Sequence, residues 1–125
     1  MAIARDTTAA NIKPLVGSIR RRYTAGAAIA AGEIVSMSSD GFVDPANTTS
    51  AAAVVVGIAL GAAAAAADII DVVVFGPVLC LTGGTPGATL HASNTAGEPA
   101  ESAGSNAGIA GWVEAATIAF VDPTH

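Results

Sequence analysis

Basic residues are missing from most of this chain: after Arg22, the 125-residue sequence contains no lysine or arginine. The five basic residues lie within residues 1–22 together with one acidic residue, which gives that segment a formal charge of +4. Residues 23–125 carry nine acidic residues and neither lysine nor arginine, a formal charge of −9. The whole chain therefore has a net charge of −5. Contacts to phosphates require cations. The body of the protein is therefore excluded as a nucleic-acid-binding surface, and only the basic segment could play that part.

Residues for catalysis and metal binding are equally scarce. Cys80 is the single cysteine, which excludes an intrachain disulfide, and its apolar neighbours indicate a small buried side chain. One cysteine and two separated histidines, His91 and His125, cannot supply a structural zinc site. Asp68 and Asp71 are close in sequence, but we expect one in a turn and the other at a strand edge, which does not favour acid–base chemistry. The sequence predicts no enzyme, no cofactor and no metal.

Charged and aromatic side chains are few. Only 12% of residues are charged, mean hydropathy is +0.59, and the aromatic residues number five. A free monomer of this size normally displays more charge than this. We expect a partner or a second copy of the chain to cover part of the apolar surface, with Trp112 as the largest core or subunit-contact side chain.

One uncharged stretch, Thr48 to Ala67, is long enough for a membrane helix. Its apolar content is mainly alanine, polar residues occupy one end, and no basic residue flanks it. Arg20 to Arg22 bear a slight likeness to a twin-arginine export signal, but the apolar stretch that follows is short and is interrupted by Glu33. We therefore expect neither a membrane span nor export.

Two parts of the sequence repeat one another. Residues 29–43 return in a looser form as residues 85–99, each reading as turn, short strand, turn and short strand. The matching glycines lie 55 residues apart for Gly32 and Gly87, and 54 apart for Gly57 and Gly111. A nearly constant offset is typical of a duplicated supersecondary unit. The sequence predicts one domain of two similar halves, roughly 26–77 and 83–123.

Short β-branched runs separated by turn residues predict strands throughout the body. We expect strands at Glu33 to Ser38, Val54 to Leu60, Ile69 to Phe75, Val78 to Thr82, Ala88 to Ala92, Ile109 to Glu114 and Thr117 to Val121. Turns are predicted at positions that include Asp44-Pro45 and Gly76-Pro77. Residues 62–67, all alanine, are predicted to form a loop or a single helical turn, since six residues are too few for a stable helix. This pattern favours an all-β fold, a small β-barrel or β-clip-like domain.

The first 23 residues have no helical period and contain Pro14, which predicts an extended basic arm ahead of a β-rich domain at residues 24–125. We hypothesise that the cations of this arm lie on an acidic surface of a partner or of a neighbouring subunit. A solvated, disordered tail is the alternative.

One series of motifs in the body consists of residues 25–35, 41–43, 56–59, 68–78, 85–87, 95–97 and 110–115. In this order and spacing, the series resembles the DUF2190-type capsid cement (decoration) proteins of tailed phages. The similarity covers about residues 24–123 and rests on turn glycines and apolar strands whose order is more specific than any one motif. The segment Ile29-x-x-Gly32-x-Ile34-Val35 also resembles the β-clip unit of SAF domains and of lambda-type head decoration proteins.

This resemblance implies a structural protein on the outer surface of an assembled phage head, made in the host cytoplasm, which clamps neighbouring capsomers and commonly forms a homotrimer. Its partners would be the major capsid protein and itself, with neither nucleic acid nor membrane. The alternative is a SAF-like carbohydrate-binding or accessory module. The residues that we expect at a capsid or subunit interface are Lys13, Arg20, Arg21, Arg22 and Trp112.

Overall fold

The fold was described from a computed structural model that covers residues 3–123. It is all-β, as predicted, with no α-helix within that range and one short 3-10 helix at Ala9–Asn11. The strands are β1 Ala4–Arg5, β2 Lys13–Pro14, β3 Ile19–Thr24, β4 Ile34–Met37, β5 Val43–Pro45, β6 Val55–Ala59, β7 Ile69–Leu79, β8 Leu81–Thr82, β9 Thr89–Ala92, β10 Pro99–Ala100, β11 Ile109–Ala115 and β12 Ile118–Val121.

One strongly curled antiparallel sheet makes up most of the molecule, in the manner of a half-barrel. Its strand order is β10-β9-β11-β12-β7-β6-β4-β5. Strands β2 and β3 also pair with β7, and β1 pairs with β8 in a separate two-stranded sheet. A curled sheet hides its apolar face within its own concavity, so this sheet can bury a core without a layer of helices.

The two halves of the chain have the same strand order. The order β5-β4-β6-β7 in the first half corresponds to β10-β9-β11-β12 in the second, and β7 and β12 pair at the centre. The hydrogen bonds also correspond: the Gly32 N–H donates to the carbonyl of Ala59 at 2.7 Å, and the Gly87 N–H donates to that of Val113 at 2.8 Å. The glycines that are matched in the sequence thus make matching backbone contacts.

Strand β7 is longer than predicted, because the turn that we expected at Gly76-Pro77 does not form. Gly76 has a φ of +107°, and a Cβ there would lie 2.7 Å from the Cα of Ser18, so only glycine allows the strand to bend at this close approach. Pro77 lacks an N–H, but its carbonyl accepts a hydrogen bond from the N–H of Leu15 at 3.1 Å. Pairing with β12 and with residues 13–14 keeps the chain extended through the bend.

Two other local predictions were wrong, because pairing with other strands decided where these segments are extended. The strand expected from Val78 to Thr82 is divided between β7 and β8, which pair with different partners. The turn expected at Asp44-Pro45 lies within β5, where Asp44 pairs with Ser36 of β4. Residues 62–67 form a loop, in which Ala63 makes an isolated bridge to Ile29.

Residues 3–23 do not form an arm outside the domain. Strand β3 pairs with β7 along its whole length, from Ile19 opposite Phe75 to Thr24 opposite Ile69. The boundary that we placed after residue 23 therefore falls inside a paired strand. Ile12 is only 7% exposed and belongs to the main core. Backbone hydrogen bonds hold this segment in the sheet, and they do not require the alternating apolar pattern by which strands are recognised in sequence.

The core is aliphatic. Its larger cluster joins both halves and includes Ile34, Ile58, Leu81 and Leu90, and a smaller cluster fills the first half. No aromatic side chain of the described residues is buried: Tyr23 and Phe120 are half-buried, and the others are more exposed. All five aromatic side chains are thus at least partly exposed at the surface of the protein.

Candidate functional site

Strand β3 presents three consecutive arginines on an edge of the sheet. One side of β3 pairs with β7, and within residues 3–123 its other side pairs with no strand. The three side chains are exposed and alternate between the two faces, as successive residues of a strand do. An unpaired edge with adjacent positive charge is a surface that another molecule can contact, and the charge also protects such an edge from aggregation. The residues are Arg20, Arg21 and Arg22.

The three arginines have different surroundings. The Nε of Arg22 lies 3.3 Å from Oδ1 of Asp71, with side-chain exposures of 80% and 45%, so this ion pair contributes little to stability. The guanidinium carbon of Arg21 lies 5.6 Å from the ring centroid of Tyr23. Arg20 forms no ion pair within the described residues. Two of the three cations are therefore available to an anionic partner.

The other predicted cation, Lys13, lies on β2 opposite Leu79 of β7, and its side chain is exposed. Strands β2 and β3 both follow the same edge of β7, at its two ends. The structure thus brings Lys13 to the same edge as the three arginines. It forms no ion pair within the part of the chain that the structure describes.

Trp112 belongs to a row of aromatic side chains that crosses three strands. Its indole stacks on Phe120 with a centroid separation of 4.7 Å and an interplanar angle of 15°. Phe120 in turn meets the edge of Phe75 at 5.3 Å and 84°. Ile19 of β3, which is 55% exposed, lies opposite Phe75 and extends the row to the basic strand. Trp112 remains 40% exposed, so it is a surface residue and not a core residue.

A mainly apolar open groove of about 430 Å³ lies beside Arg21 and Tyr23. Met37, Val54 and Val74 line it. Val54 is 55% exposed, which leaves a further apolar surface uncovered on this side of the molecule.

Arg5 is an important cation that the sequence did not single out. Its Nε donates to Oε2 of Glu98 at 2.8 Å, and its Nη1 donates to the carbonyl of Ala31 at 3.2 Å. The Arg5 side chain is only 16% exposed, which makes this ion pair stronger than a surface one. It fixes the start of the chain to both halves of the domain. The partners are separated by 93 residues, so no local signal in the sequence could have identified the pair.

The acids considered for catalysis have structural roles. Oδ2 of Asp68 accepts a hydrogen bond from the N–H of Ala64 at 2.9 Å, and Asp71 pairs with Arg22. Within residues 3–123, no group of three or more His, Cys, Asp or Glu side chains could hold a metal ion. Among the same residues, the structure contains no helix that is long and apolar enough to span a membrane. His125 lies outside the described residues.

Cys80 is buried in the main core and is 1% exposed. The pKa of the Cys80 thiol is raised to about 12, chiefly by burial; a backbone hydrogen bond involving Ala119 opposes this rise, and the charge of Asp6 adds to it. The thiolate is the reactive form of cysteine. A thiol with this pKa remains protonated at physiological pH, which does not favour a nucleophilic role.

We predict that native Cys80 resists thiol reagents. At about pH 8, the folded chain should react with Ellman's reagent at least about 100-fold more slowly than the chain in guanidinium chloride, because the thiol is buried and protonated. Only one thiol is present, so the absorbance reports this residue alone. Equal rates in the two conditions would contradict the prediction.

The same pKa predicts a pH dependence of folding. The free energy of unfolding should fall as pH rises from 9.0 towards about 12, because the unfolded chain releases the Cys80 proton that the folded chain retains.

Comparisons of the chain with protein-family models, with curated proteins and with solved structures find no match.

Proposed function

We propose that this chain is a structural decoration (cement) protein of a tailed-phage capsid. It binds the outer surface of the assembled head, contacts the major capsid protein and stabilises the junctions between capsomers as a homotrimer. The proposal includes a location on the virion after synthesis in the host cytoplasm, and no enzymatic activity. It starts from the resemblance of residues 24–123 to decoration proteins, and the all-β fold is compatible with that family.

The observation that carries the proposal is the uncovered surface formed by β3 and the aromatic row. Large apolar side chains that a small β-protein normally buries are here exposed at Phe75 and Trp112, beside an unpaired basic edge. Exposed aromatic and arginine side chains are enriched at protein–protein contacts. Many weak contacts on a capsid lattice act together through their high effective concentration, so each of them can be modest.

The test is co-sedimentation of the full chain with capsid shells of its own virus that lack it. We expect saturable binding to expanded shells, unexpanded shells or both. A second experiment compares two double variants, Arg20→Gln/Arg21→Gln and Ser102→Glu/Ala103→Glu. Both lower the net charge by the same amount, but the second does so in the exposed loop between β10 and β11.

The arginine variant should bind at least about tenfold more weakly than the wild type, through loss of direct contacts or of multivalency. The loop variant should bind as the wild type does. Failure of the wild-type chain to bind either kind of shell would refute decoration as the function. Equal binding by all three chains would remove β3 from the capsid-binding surface.

A carbohydrate-binding or accessory module is the second candidate, and the exposed indole of Trp112 favours it, since sugars commonly stack on aromatic faces. A thermal-shift screen against sugars, read together with tryptophan fluorescence, separates the two. The chain has one tryptophan, so a sugar-dependent change would report this position directly. A saturable shift that is lost in Trp112→Ala, together with no shell binding, would favour this second function.

A further inference from the structure

The acids of this protein are nearly all engaged within the chain, with two exceptions. Eight of the ten acids accept hydrogen bonds or form ion pairs with described residues. The remaining two, Glu114 and Asp122, are exposed and have no such partner within residues 3–123. Their isolation matters because they do not lie at random positions on the surface.

Both uncommitted acids border the aromatic row. Glu114 is two residues beyond Trp112 on β11, at a register shift between Val113 and Ala115, and Asp122 directly follows β12, two residues beyond Phe120. Fully buried Val113 and Val121 separate each exposed acid from its aromatic neighbour, so acid and ring lie on the same outward side. Trp112 and Phe120 are themselves stacked at 4.7 Å. The result is an acidic aromatic patch, formed by Trp112, Glu114, Phe120 and Asp122.

The cations without an ion pair among the described residues lie elsewhere, along one edge of β7: Lys13 on β2, and Arg20 and Arg21 on β3. Arg20 and Arg21 make no ion pair within the described residues, although Arg21 approaches the ring of Tyr23. Strands β7 and β12 separate β3 from β11 in the sheet. Three inter-strand spacings amount to roughly 14 Å, which is too far for direct ion pairs within one molecule. The two charged surfaces can therefore pair only between molecules.

We infer that β3 of one copy docks on the acidic aromatic patch of a second copy, with Arg20 and Arg21 facing Glu114, Asp122 and the indole of Trp112. Arginine suits this patch because a guanidinium group forms bidentate contacts with carboxylates and stacks on aromatic rings. The inference deepens the proposed function and rests on it in part, since it assigns the subunit contact of the homotrimer.

The charges also determine the symmetry of the contact. Pairing β3 with β3 across a twofold axis would place arginines against arginines, and pairing the acidic patch with itself would place carboxylates against carboxylates. Both arrangements are repulsive. The contact is therefore heterologous, with different surfaces on its two sides, and a heterologous contact that closes forms a ring.

Charge reversal with rescue tests this contact, and sedimentation velocity on the full chain measures it. The Arg20→Glu/Arg21→Glu variant and the Glu114→Arg/Asp122→Arg variant should each associate at least about 100-fold more weakly than the wild type, because like charges then face one another. The variant that combines all four substitutions should associate again, since opposite charges face one another with their signs exchanged. Its net charge equals that of the wild type.

The two double variants change net charge in opposite directions, so a shared loss of association cannot be a net-charge effect. Circular dichroism and the melting temperature establish that each variant folds. The wild type provides an independent measurement: its association should weaken between about 0.05 M and about 1 M salt. Wild-type chains that remain monomeric, association that salt does not change, undiminished association of either double variant, or no rescue in the combined variant would each overturn the inference.

These assays contain no capsid shells, which separates this inference from the proposed function. A chain that assembles as described but does not bind shells refutes only the decoration role. A chain that binds shells while its own association fails these tests refutes only the subunit contact.

Discussion

Removal of residues 1–22 is expected to abolish the cooperative fold of this protein. The deletion takes away most of β3, which covers one edge of β7, and the two-residue strands β1 and β2. It also removes Ile12 from the core and leaves Glu98 without Arg5, its partner at 2.8 Å. We expect the combined loss of a strand, a core side chain and a partly buried ion pair to be comparable with the stability of a typical domain, which is about 5–15 kcal/mol. Thermal and guanidinium unfolding, followed by circular dichroism, measure the effect.

The matched control retains the strand and removes only two of its charges. Arg20→Gln/Arg21→Gln preserves the backbone pairing of β3 with β7, and both side chains are exposed. At a protein concentration low enough for both chains to be monomeric, its stability should therefore stay within about 0.5 kcal/mol of the wild type. A truncated chain that still unfolds cooperatively near the wild-type temperature would show that residues 1–22 are dispensable for folding. It would also restore the view of this segment as a separate arm.

Alanine at Gly57 or at Gly111 is expected to destabilise the protein by about 3 kcal/mol or more, through steric conflict with a neighbouring strand. A Cβ at Gly57 would lie 1.9 Å from the carbonyl oxygen of Val73, and one at Gly111 would lie 2.0 Å from that of Phe120. Gly111 also has a φ of +149°, a conformation that alanine rarely adopts. Backbone atoms of a central strand cannot move aside without breaking the sheet. At roughly 4 °C per kcal/mol, the melting temperature should fall by about 12 °C or more.

Gly61→Ala is the control for this effect. A Cβ at Gly61 would meet no heavy atom within 4 Å, and this residue is not among those with a positive φ. Its substitution should therefore change stability by less than about 1 kcal/mol. All variants are compared at one protein concentration, because self-association makes the melting temperature depend on concentration. Melting of Gly57→Ala at the temperature of Gly61→Ala would contradict the close packing of β6 on β7.

The positions of the aromatic side chains connect the fold to the proposed function. The core is filled by valine, isoleucine, leucine and alanine, while Trp112, Phe120 and Phe75 lie side by side on the surface. An exposed apolar row of this kind is costly for a free monomer. Contact with a second subunit or with a capsid would remove it from water, so we expect assembly to stabilise the protein.

Several features could be predicted from the sequence because they depend on local chemistry. β-branched runs between turn residues located six strands of the body, although the bounds of several shifted, and the all-β class followed from them. These strands are β4, β6, β7, β9, β11 and β12. The glycines that were matched by their spacing, such as Gly32 and Gly87, occupy turns with matching hydrogen bonds. Short-range preferences for extended backbone or for a turn act on each residue and its neighbours, so the order of amino acids is enough to reveal them.

Other features depend on which distant segments meet. The sequence alone placed residues 1–23 outside the domain and a turn at Gly76-Pro77, whereas the tertiary structure pairs β3 with β7 and keeps β7 continuous. It also joins Arg5 to Glu98 and aligns Trp112 with Phe120 and Phe75. Backbone hydrogen bonds between strands do not depend on the pattern of side chains. Ion pairs form wherever the fold brings opposite charges together. The composition and local order of this chain thus determined its class and most strands of its body, and only long-range pairing decided which of its charges and aromatic rings remain free to bind a partner.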